Sequence, residues 1–144
     1  MSVVAKDKDE DTYIGLKFPL DHGRDGFFSR TKTSLNQAKY NITNLLKTIP
    51  GERLGNPTFG SNLHKVLFEQ EGEELENNIE ETIRSAISEW LPFINVEKIE
   101  TVFSSTNRSA VNVSIRFTLN FDTTTEGELS LDLSSYTPDL FGDT

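Results

Sequence analysis

Glu52 and Glu69 stand at either side of the most heavily punctuated stretch of the chain. Two carboxylates facing each other across a cleft are what glycoside hydrolysis needs, one kept protonated by an apolar pocket and the other ionised. Plainer roles compete for both residues. Glu52 falls in a turn, and Glu69 is placed to cap a helix or to pair with Arg53. Glu76 and Glu80 are i,i+4 neighbours on a helix face and should point into water. His22 and His64 are far apart, and neither belongs to a His-x-x-x-His pair. No Gly-x-Ser-x-Gly elbow is present, Gly51, Gly55 and Gly60 are spaced for turns rather than for a phosphate cradle, and no loop has calcium-site spacing. The sequence therefore assigns no catalytic residue, no cofactor and no metal.

Aromatic residues suggest contacts rather than chemistry. Phe27-Phe28 between Arg24 and Arg30 could stack on a single-stranded nucleic acid. The chain carries a net charge of −9 with a pI near 4.7, which repels phosphate backbones and favours packing of this loop on the core. The charge is unevenly written. Seven acids and no base lie between Glu69 and Glu81, whereas three lysines and no acid lie between Thr31 and Thr48. With no cysteine in 144 residues, a disulfide or thiolate metal site is excluded. No apolar run is long enough to span a bilayer, and the charged N-terminus has no signal-peptide core. The glycosylation-like triplets at Asn41, Asn107 and Asn112 then read as chance matches, and use in, or assembly from, a cytoplasm is expected.

The elements that must position these residues are legible from periodicity. Ile14, Leu16 and Phe18 alternate as a short strand or extended arm. Ser34 and Gln37 have capping-box spacing, and Leu35, Ala38, Ile42, Leu45, Leu46 and Ile49 form a helical apolar stripe that Pro50 ends. Ser61 is placed to cap a short helix whose apolar face is Leu63, Val66 and Leu67. A third helix carries Leu75, Ile79, Ile83, Ala86, Ile87, Trp90 and Leu91, and stops at Pro92. Trp90 continues its stripe and is expected in the core, while Phe93 lies beyond the stop. From there the period changes to two. Ile94–Phe103 is strand-like with a shift of alternation near Glu97 and Lys98 that suggests a bulge or an end. Val111, Val113, Ile115, Phe117, Leu119 and Phe121 line one face of a long strand, and Leu129, Leu131 and Leu133 one face of another. Turns are expected at Ser104–Ser109 and Asp122–Gly127. The fold class is α+β: three amphipathic helices packed on one face of a small, mostly antiparallel sheet, a C-terminal three-strand meander. Residues 1–11 read as a flexible lead, 12–133 as one domain and 134–144 as a tail.

The loop between the first two helices is specific in residue type: Thr48, Pro50-Gly51-Glu52-Arg53, Pro57, Phe59-Gly60-Ser61, then Leu67-Phe68-Glu69. In this order it resembles the baseplate wedge and sheath-initiator family of contractile phage tails, whose members were historically labelled gene-twenty-five-like lysozymes. Gly15-Leu16-Lys17-Phe18-Pro19-Leu20 looks like that family's first strand, and the resemblance runs from about Tyr13 to Leu133. The family's helix-end Trp-Glu-Pro-Arg is Trp90-Leu91-Pro92-Phe93 here, with the proline kept and both charged residues replaced by apolar ones.

The resemblance implies a structural, non-enzymatic subunit of a virion tail baseplate, assembled in the host cytoplasm. Its implied partners are other wedge proteins, the tail sheath protein and, as further candidates, inner tube or hub proteins, with no nucleic acid and no membrane insertion. Wedge docking is expected at Trp90, Leu91, Pro92 and Phe93. Sheath initiation is expected by strand addition along Glu128, Leu129, Ser130, Leu131, Asp132 and Leu133. Arg53 is expected to fix the motif loop through Glu69 or a backbone carbonyl. The alternative from another class is a cell-wall hydrolase of the tail.

Overall fold

The computed structural model describes residues 13–17, 30–31, 33–69, 74–104 and 111–133. Helix α1 (Ser34–Lys47) leads through the motif loop to α2 (Leu63–Glu69) and then α3 (Glu74–Trp90). Strands β3 (Ile94–Phe103), β4 (Val111–Leu119) and β5 (Asp122–Asp132) form an antiparallel meander in the order β3-β4-β5. The expected α+β architecture is present, with one refinement: α1 lies against β5 and α3 against β3, while α2 packs chiefly on α3.

The helix stripes close one core. Ala38, Ile42, Leu45 and Leu46 of α1 and Ile79, Ile83, Ala86 and Ile87 of α3 meet Val111, Val113, Ile115, Phe117 and Leu119 of β4. Gly127 faces Phe117 across the β4–β5 ladder, and a Cβ there would lie 2.6 Å from the ring. The missing side chain leaves the space that the Phe117 ring and the Leu35 methyl group occupy.

The N-terminal cap of α1 differs from expectation. Thr33, not Ser34, is the cap, and its hydroxyl accepts the Asn36 N–H at 3.3 Å. Gln37 turns instead to Asn41, donating to its Oδ1 at 2.9 Å. Two short strands, β1 (Gly15–Leu16) and β2 (Arg30–Thr31), form a separate antiparallel ladder. The alternation around Leu16 signalled β1, but nothing in the spacing signalled β2. Residues 1–11, 134–144, the pair Phe27-Phe28 and most of the expected 104–109 turn lie outside the described residues.

The expected shift in β3 is a bulge. The register jumps between Val96 and Lys98, leaving Glu97 unpaired. That extra residue lets Val96 and Ile99, three apart in sequence, stand opposite Phe117 and Ile115 on the same face. The bulge is held from the helix side, where Arg84 Nη1 donates to the Val96 carbonyl at 2.9 Å while its Nε pairs with Glu80. The second turn falls earlier than expected. Asn120 and Phe121 make it, and β5 begins at Asp122, with an irregularity opposite Thr118.

The β4–β5 ladder fixes which atoms of β5 remain outside it. Leu133 N donates to Val111 O at 2.8 Å. By antiparallel alternation, residues 127, 129, 131 and 133 bond to β4, and Glu128, Ser130 and Asp132 turn N–H and C=O to the far side. Among the described residues no strand pairs on that side.

Candidate functional site

The motif loop is a self-bonded cover over the C-terminal end of α1. Gly60 has φ +136°, and a Cβ there would fall 2.5 Å from the Thr48 carbonyl oxygen. With that approach allowed, Ser61 N donates to Thr48 O at 3.0 Å and Ser61 Oγ to Leu46 O at 3.0 Å. Ser61 is thus buried and satisfies α1 carbonyls rather than capping α2, whose first turn bonds to Asn62 O. Gly51, at φ +100°, donates to Pro57 O at 2.7 Å and pinches the neck of the loop. Glu52 accepts the Ile49 N–H on Oε2 at 3.0 Å and returns its own N–H to Ile49 O. These bonds explain why the loop demands proline, glycine and serine at fixed positions: they stop the helix and occupy its orphan carbonyls.

Arg53 ties the loop to α1 and to the Phe59 ring. Its Nη2 donates to Asn44 Oδ1 at 2.9 Å, and its guanidinium lies 4.3 Å from the centroid of the Phe59 ring. The planar cation lies over an aromatic face, a contact the spacing of the motif did not signal. The Glu69 side chain lies outside the described residues. Asn44 sits nine residues before Arg53 and gave no signal in the sequence.

Phe59 carries the loop across to the end of α3. Its ring meets Trp90 edge-on, with centroids 5.2 Å apart and planes at 69°. Trp90 is half-buried and packs against the core cluster, as its place in the helix stripe implied. Past it, Leu91 is 8% exposed and belongs to the core, which corrects its expected place on a docking surface. Pro92 is exposed and Phe93 is 36% exposed. Asn120, from the β4–β5 turn, pins this corner: its N–H donates to Phe93 O at 3.0 Å and its side chain to Pro92 O at 3.1 Å. Phe121, next to it, is 40% exposed. The motif loop, the end of α3 and a strand turn are thus joined through Arg53, Phe59, Trp90 and Asn120. Leu54, at the loop tip, is 100% exposed, and Phe68, on α2, is 73% exposed.

The β5 edge makes the second candidate surface. Leu131 and Leu133 are buried and Leu129 half-buried, whereas Glu128, Ser130 and Asp132 are exposed. Acids and leucines take opposite faces, as their alternation implied. At the other end of this strand, Asp122 Oδ1 accepts from Thr124 N, Thr124 Oγ1 and Thr125 N. The Thr124 hydroxyl, then Thr125, hold its carboxyl below the usual carboxylate range.

The open groove along α3 is lined by Asn77, Glu80, Glu81, Arg84, Ser85 and Ser88. All six come from one helix, so its carboxylates share a wall instead of facing each other. Glu80 is already paired with Arg84 at 2.9 Å. Among the described residues no cluster of three or more metal-ligating side chains occurs, and no helix is long and apolar enough to cross a membrane.

Solved structures of other proteins share this fold. A crystal structure described as a tail lysozyme from Geobacter sulfurreducens superimposes with a TM-score of 0.63 at 20% identity, covering 71% of this chain and 91% of that one. A chain of the anti-feeding prophage baseplate, from a six-fold symmetrised cryo-EM structure, gives a TM-score of 0.64 at 23% identity, covering 76% and 86%. Both likenesses are of fold. Curated protein sequences give no significant match. The profile of the baseplate wedge protein gp25 family matches residues 35–124, a span that takes in the helices, the motif loop, β3, β4 and the turn pinned by Asn120. The chain belongs to the baseplate wedge protein gp25 family and is a structural component of a contractile-tail baseplate.

Proposed function

We propose that the protein is a non-catalytic adaptor with two docking surfaces. One holds it in the baseplate wedge, and the other starts the sheath. The observation that carries this reading is the separation of the two surfaces by kind. The corner at Trp90–Phe93 offers aromatic and apolar side chains fixed from behind by Phe59 and Asn120, which suits packing against helices of the wedge core. The β5 edge offers outward-facing backbone donors and acceptors at Glu128, Ser130 and Asp132, which suits addition of an extended arm from a sheath subunit. The bulge at Glu97 breaks the regularity of the β3 edge, as blunted edges do. Strand addition is thereby directed to β5. Other baseplate components, including inner tube or hub proteins, would reach the remaining faces during assembly in the host cytoplasm.

The rival reading is peptidoglycan hydrolysis. The engagement of Glu52 by the Ile49 amide and the one-walled carboxylate groove speak against it. Purified protein is expected to leave a peptidoglycan suspension at constant turbidity. Clearing that Glu52→Gln or Glu69→Gln abolishes would replace the adaptor reading with an enzymatic one. Retention on immobilised wedge proteins, lost in Phe93→Ala and kept in Ser130→Pro, tests the adaptor directly.

A further inference from the structure

The edge that β5 presents is polar on one face and apolar on the other, and this restricts the strand that can join it. A fourth strand would bond to Glu128, Ser130 and Asp132, whose N–H and C=O groups point outward. Residues of the incoming strand opposite these three fall on the solvent face, and those opposite Leu129 and Leu131 fall on the helix-covered face. On that face the core already reaches the edge, with Leu131 buried and Leu129 packed half-buried against it. Apolar side chains there would finish the burial of Leu129. On the solvent face a charge row crosses the sheet in register: Lys98 opposite Arg116, and Arg116 opposite Glu128. The row ends in an acid at the edge. Opposite charges directly across a strand pair stabilise it, and like charges oppose it. The net charge of −9 adds a long-range attraction for basic segments.

We propose that the arm captured by β5 is an alternating segment with a basic side chain opposite Glu128, a small hydroxyl residue opposite Ser130 on the same face, and apolar side chains at the positions between. This rests on the strand-addition reading above and names the chemistry of its partner. The selectivity comes from the combination of face and charge, so composition alone does not produce it.

Three synthetic peptides test it, each fluorophore-labelled and titrated with the whole protein by anisotropy. Val-Lys-Val-Thr-Val-Lys-Val places both lysines on the threonine face. Val-Val-Lys-Thr-Lys-Val-Val has the same composition with the lysines on the other face. Val-Glu-Val-Thr-Val-Glu-Val reverses the charge. The first is expected to bind about tenfold tighter than either of the others. Glu128→Lys should cut that preference over the glutamate peptide severalfold. Ser130→Pro, or N-methylation of the threonine amide in the first peptide, should abolish binding. Circular dichroism of the Ser130→Pro protein separates lost pairing from lost fold, and the methylated peptide tests the pairing without altering the protein. Equal binding of the two lysine isomers, with both still blocked by Ser130→Pro, would overturn the proposed polarity while leaving strand addition in place. Binding indifferent to both Ser130→Pro and amide methylation, or no binding of any peptide, would overturn both.

Discussion

The helix-end face and the β5 edge expose different parts of the chain. The face around Phe93 is made of side chains gathered from three places: the motif loop, the end of α3 and the β4–β5 turn. Arg53, Phe59, Trp90 and Asn120 join them. The β5 edge is made of backbone, and its side chains only choose among strands that could pair there. A surface of the first kind is sensitive to substitutions far from the contact, because a displaced support displaces the anchor. A surface of the second kind tolerates most side-chain changes and fails when a donor is removed. Under the proposed function, one surface would hold a fixed partner and the other would start a polymer, each failing by its own kind of substitution.

The largest expected effect breaks the first surface at its root. Gly60→Ala must fit a Cβ 2.5 Å from the Thr48 carbonyl at φ +136°. It is expected to cost about 3 kcal/mol of stability, read from urea denaturation, and to reduce wedge binding with it. Retention of wild-type stability would show that the loop closes by another route. Phe93→Ala comes next. It should weaken wedge binding by about 2 kcal/mol in titration calorimetry, with a stability loss under about 1 kcal/mol because the ring is partly in solvent. Equal losses of stability and binding would make Phe93 a core residue and dissolve the contrast drawn above. Arg53→Lys keeps the charge but loses the planar stack on Phe59 and the directed bond to Asn44. About 0.5–1 kcal/mol of stability should go, with no change in peptide binding at β5.

The smallest effect sharpens the comparison at the turn between the two surfaces. Asp122 titrates below its ordinary value near 3.8 because Thr124 and Thr125 donate to its ionised form. Its contribution to stability is complete above that ordinary value and disappears as the pH falls through the lower folded value. Thermal melts of wild type and Asp122→Asn should therefore differ at pH 6 and converge at the acid end. A difference that persists at the lowest pH would assign the effect to packing.

Much of this architecture was legible because periodicity reports burial. The stripes of α1 and α3, the two-residue alternation of β4 and even the bulge at Glu97 follow from which side chains must meet Phe117 and Ile115. The motif loop was recognisable as a type of loop for the same reason, since Pro50, Gly51, Gly60 and Ser61 have backbone duties that few other residues can fill. The partners of Arg53 were not legible. A guanidinium accepts a carboxylate, a carbonyl, an amide or a ring, and only the packing of Asn44 and Phe59 selects among them. Asn120 was missed because its partners, the carbonyls of Pro92 and Phe93, carry no side-chain signature. Leu91 was placed on the docking surface by the family resemblance alone; the periodicity had already put it in the apolar stripe of α3, where it is buried, its N–H bonded to Ile87 O at 2.8 Å.

The most direct measurement is sheath assembly on baseplates reconstituted with variant protein, viewed by electron microscopy. Ser130→Pro removes one outward N–H from β5 and touches nothing in the helix-end face. The account predicts baseplates that contain the variant in normal amount and carry no sheath, while Ser130→Ala baseplates are sheathed like wild type. A full-length sheath on Ser130→Pro baseplates would contradict it.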